Sequence, residues 1–197
     1  MGHIFCLMGK SASGKDTLYS NLLGENELSL ERIVPFTTRP IRSGEVEDRE
    51  YHFTDKEGFE SLVKQGKVIE HRCYHTCHGD WYYFTVDQEV FLDSKDYLII
   101  GTLESYIKIR DYYGADKVIP LYVELDDGIR LERALKRERS QESPKYTEMC
   151  RRFLADDEDF SEEKLIAAGI DKKYINDDLY RCMDEMRDTI WTSRSTK

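Results

Sequence analysis

The stretch that decides the fold is Gly9-Lys10-Ser11-Ala12-Ser13-Gly14-Lys15-Asp16-Thr17. A glycine, four residues and then Gly-Lys is the spacing of a P-loop, in which backbone N–H groups and a helix N-terminus cradle phosphate oxygens. The apolar run at residues 4–8 predicts a strand buried on both faces, and the leucine spacing at residues 16–23 predicts a helix. Because strand, loop and helix come in the order that the motif requires, we predict that all nine residues of the loop bind a phosphate-bearing cofactor.

Two residues of this loop carry its chemistry. Lys15 is expected to reach the β- and γ-phosphates of the bound ligand, while Asp16 stands where a Ser or Thr usually ligates Mg²⁺. A carboxylate is also a hard oxygen ligand, but without the metal it repels phosphates. We therefore predict Mg²⁺ as a cofactor, Asp16 as the metal ligand, and unusually strong metal dependence.

Composition limits the classes of partner. The chain has 197 residues, a formal net charge of −10 and five cysteines without a framework spacing. Nucleic acids and anionic membranes both reward a basic face, so this charge argues against either partner. No apolar run has the length of a membrane span or a signal peptide, and the cysteine pattern is typical of reduced thiols. We expect a cytoplasmic protein with a small-molecule substrate; the oligomeric state is left open.

Apolar runs and helical patterns alternate along the rest of the chain. The predicted strands span residues 4–8, 32–36, 97–101, 118–123 and 173–175, and the predicted helices span residues 16–23, 103–113, 127–139 and 177–191. This alternation predicts an α/β fold of three layers, with a parallel sheet between helices. No repeat or low-complexity linker divides the sequence, so we predict a single domain over residues 1–197.

Two segments interrupt this alternation. Residues 39–87 contain short aromatic strands at 51–53, 68–74 and 81–85 and a helix at 56–65, and are predicted to form a small mixed insert. Residues 138–147 are polar, contain Ser143-Pro144 and are predicted to form a mobile lid. The predicted core therefore comprises residues 1–38 and 88–197.

A basic block follows the second predicted strand, at the edge of the sheet where ligands of open α/β proteins bind. It reads Thr37-Thr38-Arg39-Pro40-Ile41-Arg42, then Gly44-Glu45, then Tyr51-His52-Phe53. With this block the chain resembles the guanylate kinase family, which transfers the γ-phosphate of ATP to GMP. The resemblance implies a P-loop kinase three-layer sandwich with an insert that binds the nucleoside monophosphate.

The resemblance also implies roles for individual residues. Arg39, Arg42 and Tyr51 would hold the acceptor phosphate, with Arg39 also counted as catalytic, because planar guanidinium groups suit phosphate oxygens. The segment Val68-Ile69-Glu70 matches the one whose glutamate accepts hydrogen bonds from guanine, so Glu70 would read the base. In Trp81-Tyr82-Tyr83, Tyr82 is the candidate for a second contact to the phosphate.

The chain departs from the family pattern around the base. The family's serine falls on Phe84, and its Asp-x-Asp is replaced by Ile100 and Thr102. Thr85, Thr102 or Glu104 could partly substitute for the missing polar groups. A site discriminates strongly between bases only when its polar partners are present, so the acceptor is less firmly predicted than the phosphoryl transfer.

Basic residues flank the predicted lid. They are Arg130, Arg133, Lys136, Arg137 and Arg139 before it, and Arg151 and Arg152 after it. By resemblance, Arg137 and Arg152 are predicted to be catalytic and to neutralise charge on the transferring phosphoryl group. The segment Asn176-Asp177-Asp178-Leu179 resembles the family's last strand-to-helix junction, near adenine, although a simple helix cap explains it almost as well.

One cluster of soft ligands is left over. His71, Cys73, His75, Cys77 and His78 place five possible Zn²⁺ ligands within eight residues. Alternate residues of one extended strand are about 6.6 Å apart, too far for all of them to reach one ion. The sequence therefore does not favour a metal site here, but leaves it open.

The sequence thus predicts an ATP-dependent nucleoside monophosphate kinase that converts GMP and ATP to GDP and ADP. A first alternative is a kinase of ribose 1,5-bisphosphate or another small molecule, since ribose bisphosphate kinases also carry Gly-Lys-Asp in the P-loop, as Gly14-Lys15-Asp16 does here. A second is a non-catalytic phosphate-binding or scaffold module. Lys15 and the lid arginines argue against the second alternative.

Overall fold

The computed structural model describes residues 2–42, 44–76, 79–88, 90 and 92–195. The strands are β1 (Ile4–Gly9), β2 (Leu30–Arg32), β3 (Phe36–Thr37), β4 (His52–Phe53), β5 (Val68–Thr76), β6 (Gly79–Val86), β7 (Asp96–Ile100), β8 (Val118–Glu124) and β9 (Lys173–Ile175). The helices are α1 (Lys15–Gly24), α2 (Lys56–Lys64), α3 (Leu103–Tyr113), α4 (Asp127–Arg139), α5 (Tyr146–Asp159), α6 (Glu162–Ala167) and α7 (Leu179–Ser195).

The core is a five-stranded parallel sheet in the order β2-β7-β1-β8-β9. The central strand β1 is fully buried because both of its faces are covered. Ile4 and Cys6 pack into one apolar cluster with residues of α3 and α6, while Phe5 and Leu7 pack into another with residues of α1 and α7. These layers confirm the predicted α/β fold with a parallel sheet between helices.

The strand predicted at residues 32–36 is wrong, because the chain leaves the core sheet within it. The strand β2 ends at Arg32 and pairs with β7, and the backbone N–H of Ile33 still donates to Leu98 at 3.1 Å. Pro35 has no N–H to continue the ladder. The next strand, β3, belongs instead to a second sheet.

This second sheet is mixed and has the order β4-β3-β6-β5. Its largest part is the antiparallel hairpin of β5 and β6, whose pairing shifts register between Val68 and Glu70. One face of the hairpin packs on α2, where the buried ring of Phe59 stacks on Tyr82 at a centroid distance of 4.4 Å. The other face carries polar side chains, described below with the site.

The helices α4 and α5 are joined by residues 140–145, within the predicted lid. Glu138, which is buried, accepts hydrogen bonds from the backbone N–H of Lys145 and, at 3.4 Å, from the side chain of Gln141. The connection is therefore fastened at both ends to one carboxylate. Among the residues described, no helix is long and apolar enough to cross a membrane.

Candidate phosphoryl-transfer site

The loop after β1 is shaped by two glycines. A Cβ atom at Gly9 would lie 2.6 Å from the carbonyl oxygen of Val123, and one at Gly14 would lie 2.3 Å from Nδ2 of Asn176. Gly14 also has a φ of 89°, in the left-handed region that favours glycine. The buried amide of Asn176 donates to the carbonyl oxygen of Ser13 at 2.7 Å. The loop is thus held in place by strand β8 and by the residue after β9.

The C-terminal end of the P-loop, where α1 begins, is open to an anion. The N-cap of α1 is Gly14, which has no side chain to satisfy the N–H groups of the first turn. The ammonium of Lys15 and the exposed carboxylate of Asp16 form no hydrogen bond or ion pair with the part of the chain that the structure describes. Helix N–H groups and an unpaired cation together attract phosphate. The exposed Asp16 carboxylate beside them fits a Mg²⁺ ion.

The N-terminal part of the P-loop, at Lys10 and Ser11, contacts α5 instead. The ammonium of Lys10 lies 2.6 Å from Asp157, and the backbone N–H of Ser11 donates to Asp156 at 2.7 Å. These two residues of the predicted cofactor site therefore have protein partners in this structure. Ala12, the next residue, has a φ of 63°, a left-handed conformation that costs an L-residue about 1–2 kcal/mol.

Arg130 connects the P-loop to α4 and α5, the two helices that flank the predicted lid and are called the lid helices below. Its side chain is 0 % exposed, donates from Nε to the carbonyl oxygen of Ser11 at 3.1 Å, and lies 4.6 Å from the ring centroid of Phe153. Its other nitrogens face three carboxylates, on Asp127, Asp156 and Asp157. Arg130 is therefore a structural connection between the P-loop, α4 and α5.

Arg39 is buried and largely occupied. Its guanidinium forms a bidentate pair with Glu45 at 2.6 and 2.7 Å, and also donates to the carbonyl of Pro40 and the hydroxyl of Tyr83. These four hydrogen bonds use four of its five N–H groups, so the expected bidentate grip on a phosphate is not free in this arrangement. The bonds from Arg39 hold the pKa of the Glu45 carboxyl below its ordinary value.

Arg42 and Tyr51 remain available beside this pair. Arg42 is exposed, and its guanidinium forms no hydrogen bond or ion pair with any residue described. The ring of Tyr51 lies 5.1 Å from the Arg39 guanidinium and edge-on to Tyr83, with ring centroids 5.6 Å apart. Burial raises the pKa of Tyr51, so its hydroxyl stays a neutral hydrogen-bond donor.

Tyr82 and Tyr83 lie on opposite faces of the hairpin. Tyr82 lies on the α2 side of the hairpin, stacked on Phe59, whereas Tyr83 lies on the other face, against Arg39 and Tyr51. Successive side chains of a strand point to opposite faces, so only one of the two can reach the basic block. The tyrosine beside Arg39 and Tyr51 is therefore Tyr83, whereas the predicted Tyr82 faces α2.

A cluster of polar side chains lies on the same face of the hairpin as Tyr83. The buried Glu70 accepts a hydrogen bond from the hydroxyl of Thr85 at 2.7 Å, and its other oxygen, Oε2, is buried without a hydrogen-bond partner. That oxygen lies 3.4 Å from Nε of Arg72, which donates from Nη1 to Thr102 at 3.0 Å. Thr102 also caps α3, so the insert contacts the core sheet through this pair.

The two halves of the site meet at one edge of the core sheet. The P-loop follows β1, Thr102 follows β7, and Leu7 of β1 pairs with Ile100 of β7 in parallel. Ligands of open α/β sheets bind at this carboxyl edge. The arrangement suits a reaction between a phosphate donor on the P-loop and an acceptor on the insert.

The lid arginines are placed unequally. Arg137 is exposed and unpaired among the residues described, whereas Arg152 donates to Glu148 at 3.0 Å. Hydrogen bonds from Arg151, together with those from Arg152, lower the pKa of Glu148 to about 2. Arg133 was less favoured by the sequence, but its Nη1 lies 3.7 Å from the position of a Cβ on Gly14, beside the P-loop.

The predicted soft-ligand cluster is brought together only in part. Cys73 and His75 come close to Asp80, whereas His71 packs edge-on to Phe59 with ring centroids 5.5 Å apart. Cys77 and His78 lie outside the described residues.

Comparisons with known proteins agree on one family. Residues 1–95 match the family model described as guanylate kinase. A curated guanylate kinase from Porphyromonas gingivalis is 25% identical over 193 residues, which cover 96% of this chain and 97% of that protein. One from Neisseria gonorrhoeae is 43% identical over 81 residues, which cover 41% of this chain and 38% of that protein.

A solved structure shares the fold. The crystal structure of guanylate kinase from Anaplasma phagocytophilum superposes with a TM-score of 0.68 at 21% identity, over 100% of this chain and 87% of that one. Together with the block from Thr37 to Phe53, the family-model match and the full-length relative show that the chain is similar to guanylate kinases.

Proposed function

We propose that this protein is an ATP-dependent kinase that converts GMP and ATP to GDP and ADP. The observation that carries this proposal is the placement of an open P-loop and the polar cluster of Glu70 and Arg72 at one edge of the sheet. The P-loop supplies a site for the donor phosphates, and the insert supplies groups that suit a phosphate and a purine. Similarity to guanylate kinases supports the same reaction.

On the donor side, we assign the phosphates of ATP to the N–H groups at the start of α1 and to Lys15. Asp16, with Thr17 behind it, would hold Mg²⁺, which neutralises charge on the donor phosphates when bound. Arg137, Arg133 and Arg152 approach from the lid helices. Arg152 would leave Glu148 to do so, exchanging one carboxylate for phosphate oxygens.

On the acceptor side, we assign the phosphate of GMP to Arg42 and to the hydroxyls of Tyr51 and Tyr83. Arg39 braces these groups through Glu45 and offers its one remaining N–H. Phosphoryl transfer depends on positioning and charge stabilisation rather than on a strong general base. No further catalytic group is therefore required by this assignment.

The base is assigned to Glu70 and Arg72. Guanine presents N–H donors at N1 and N2 and an acceptor at O6. The unpartnered oxygen of Glu70 suits the donors, and the guanidinium of Arg72 suits O6. Adenine presents an acceptor at N1 and a donor at N6, which opposes this pattern. The family's polar residues are absent at positions 84, 100 and 102. Arg72, held by its hydrogen bond to Thr102, supplies a polar group to the base in their place.

The two alternatives account for fewer of these features. A ribose bisphosphate has no base for the buried Glu70 to bind, and a scaffold module has no need of the unpaired Lys15. We therefore place GMP first.

Asp16 offers a test of the metal. In Asp16→Ser, the Kd for ATP in the absence of Mg²⁺ should fall by about fivefold, because a carboxylate about 4 Å from a phosphate charge costs ~1 kcal/mol without the ion. The gain in ATP affinity on adding Mg²⁺ should therefore be smaller than in wild type. The measurement is ATP affinity against Mg²⁺ concentration, with Asp111→Ser as an exposed control on α3. Superimposable curves for Asp16→Ser and wild type would show that Asp16 does not face the phosphates.

Arg42 and Arg39 should fail in different ways. Arg42→Ala should raise the KM of every accepted monophosphate by about tenfold or more with unchanged stability, because it loses a charge-assisted contact to phosphate. Arg39→Ala should raise KM and also lower the free energy of unfolding by about 1–3 kcal/mol, because Glu45 loses its partner in a partly buried site. Kinetics and urea unfolding of both variants separate the two roles, and a stable Arg39→Ala would contradict the bracing role.

Glu70 tests the acceptor assignment. Glu70→Gln should lower kcat/KM for GMP by about 5- to 150-fold, the equivalent of ~1–3 kcal/mol for hydrogen bonds to a buried group, and should affect AMP, CMP and UMP much less. Glu60→Gln, at an exposed position of α2, is the matched control. If Glu70→Gln slows every acceptor equally, the guanine assignment fails while the kinase assignment stands.

A further inference from the structure

We propose that the outer part of the β5–β6 hairpin binds a zinc-class divalent ion through Cys73, His75 and Asp80. Each residue offers one ligand atom, and the three atoms lie within 4.8 Å of one another. The set is independent of the phosphoryl-transfer residues and does not rest on the proposed function. Thiolate, imidazole and carboxylate are the ligand types that Zn²⁺ takes in proteins.

The hairpin overcomes the spacing that a single strand imposes. Cys73 and His75 are alternate residues of β5 and share a face, and Asp80 on β6 pairs directly with His75. The third ligand therefore comes from across the ladder rather than from farther along the strand. The alternating His and Cys residues in the sequence do not indicate this third ligand, because Asp80 becomes their neighbour only when β5 and β6 pair.

The distances suit a tetrahedral ion after small side-chain rotations. With metal–ligand bonds of about 2.0–2.3 Å, neighbouring ligand atoms of a tetrahedral site are separated by roughly 3.3–3.8 Å. His75 Nδ1 now lies 2.7 Å from Asp80, as a hydrogen-bonded pair that an ion would replace. The side chains of His75 and Asp80 are 83% and 44% exposed, so they rotate freely and the ion has access.

An aromatic side chain lies next to the sulfur ligand. Tyr82 is the cross-strand partner of Cys73, and its ring stacks on Phe59 at a centroid distance of 4.4 Å. Side chains opposite one another on a strand pair are close neighbours, so the Tyr82 ring restricts the space around Cys73. The site lies on the face of the hairpin opposite Tyr83 and Arg72. A bound ion would therefore cross-link β5 and β6 without contacting those two residues.

The ligand set also selects the class of ion. Mg²⁺ and Ca²⁺ take oxygen ligands, whereas a sulfur and an imidazole favour Zn²⁺ and similar ions. A second cluster, formed by Glu47, Asp48 and His52, has no sulfur and provides an internal comparison.

The direct test is titration of the purified protein with Co²⁺, which reports a thiolate ligand by its sulfur-to-cobalt charge-transfer band and a tetrahedral site by its visible bands. We expect one equivalent to bind with both signals and to be displaced by Zn²⁺. Cys73→Ser should abolish the charge-transfer band, and His75→Ala should weaken binding by at least about tenfold. Cys150→Ser, which removes an exposed cysteine on α5, and His52→Ala should keep both signals.

A second measurement uses the unmodified protein and so does not depend on how a variant folds. Iodoacetamide labelling followed by mass spectrometry should show that Zn²⁺ protects Cys73 and leaves Cys150 reactive. Equal labelling of Cys73 with and without Zn²⁺, or a charge-transfer band that survives in Cys73→Ser, would overturn the proposal.

Discussion

Replacing Lys15 with alanine is expected to lower kcat by at least about a hundredfold, because the variant loses a preorganised positive charge at the phosphates. The free energy of unfolding should change by no more than about 0.5 kcal/mol, since the Lys15 ammonium has no partner among the described residues whose loss would destabilise the fold. Steady-state kinetics with Mg·ATP and urea unfolding of the same preparation measure the two quantities.

Lys10 is the matched control for this experiment. It lies in the same loop, but its ammonium is 2.6 Å from Asp157 and 3.8 Å from Asp127, so it is already paired with protein carboxylates. Lys10→Ala should therefore lose much less activity than Lys15→Ala, by less than about tenfold. A well-folded Lys15→Ala enzyme with more than about a tenth of wild-type turnover would contradict the assignment of the loop.

Arg130 should have the largest effect on stability. Arg130→Ala removes a fully buried guanidinium, its bond to the loop carbonyl of Ser11 and its contact with Phe153, and leaves three carboxylates close together. Breaking a buried ion pair costs about 3–5 kcal/mol, but two of these carboxylates are partly exposed, so we expect about 2–3 kcal/mol. Urea unfolding measures the change.

The control for Arg130 is Arg139→Ala, an exposed position at the end of α4, which should change stability by less than about 0.5 kcal/mol. Arg130→Ala combined with Asp156→Asn should recover part of the loss, because the second change removes one uncompensated carboxylate. If Arg130→Ala alone costs less than about 1 kcal/mol, the residue does not connect the loop to the lid helices.

The core of the fold follows from local signals in the sequence. The helices predicted at residues 103–113 and 127–139 begin and end where α3 and α4 do, because Thr102 and Asp126 cap their first turns. The strand predicted at residues 173–175 also agrees with β9. The P-loop is predictable because strand, glycine spacing and helix reinforce one another within 20 residues.

Elements that depend on distant partners were harder to predict. The strand at residues 32–36 reads as one apolar run, but the missing N–H of Pro35 divides it between two sheets. The six-residue helix α6 is too short to give a periodic signal and was not predicted. Both elements depend on the part of the folded protein against which the segment packs, and the local sequence does not specify that part.

The candidate site shows the same division. Arg39, Arg42, Tyr51 and Glu70 were predicted from the sequence pattern, but the pairing of Arg39 with Glu45 requires the folded turn. The choice of Tyr83 over Tyr82 depends on which face of β6 meets Arg39, and a one-residue shift exchanges the faces. Arg72 was not predicted, because its hydrogen bond to Thr102, 30 residues away in the sequence, forms only in the folded protein.

The most direct test of the proposed function is an acceptor comparison with the wild-type enzyme. ADP formation from Mg·ATP would be measured with GMP, dGMP, AMP, CMP, UMP and ribose 1,5-bisphosphate. We predict that kcat/KM for GMP exceeds that for AMP by at least about a hundredfold, because the Glu70 and Arg72 groups match guanine and oppose adenine. A higher kcat/KM for ribose 1,5-bisphosphate than for GMP, or ADP formation independent of any acceptor, would contradict the account.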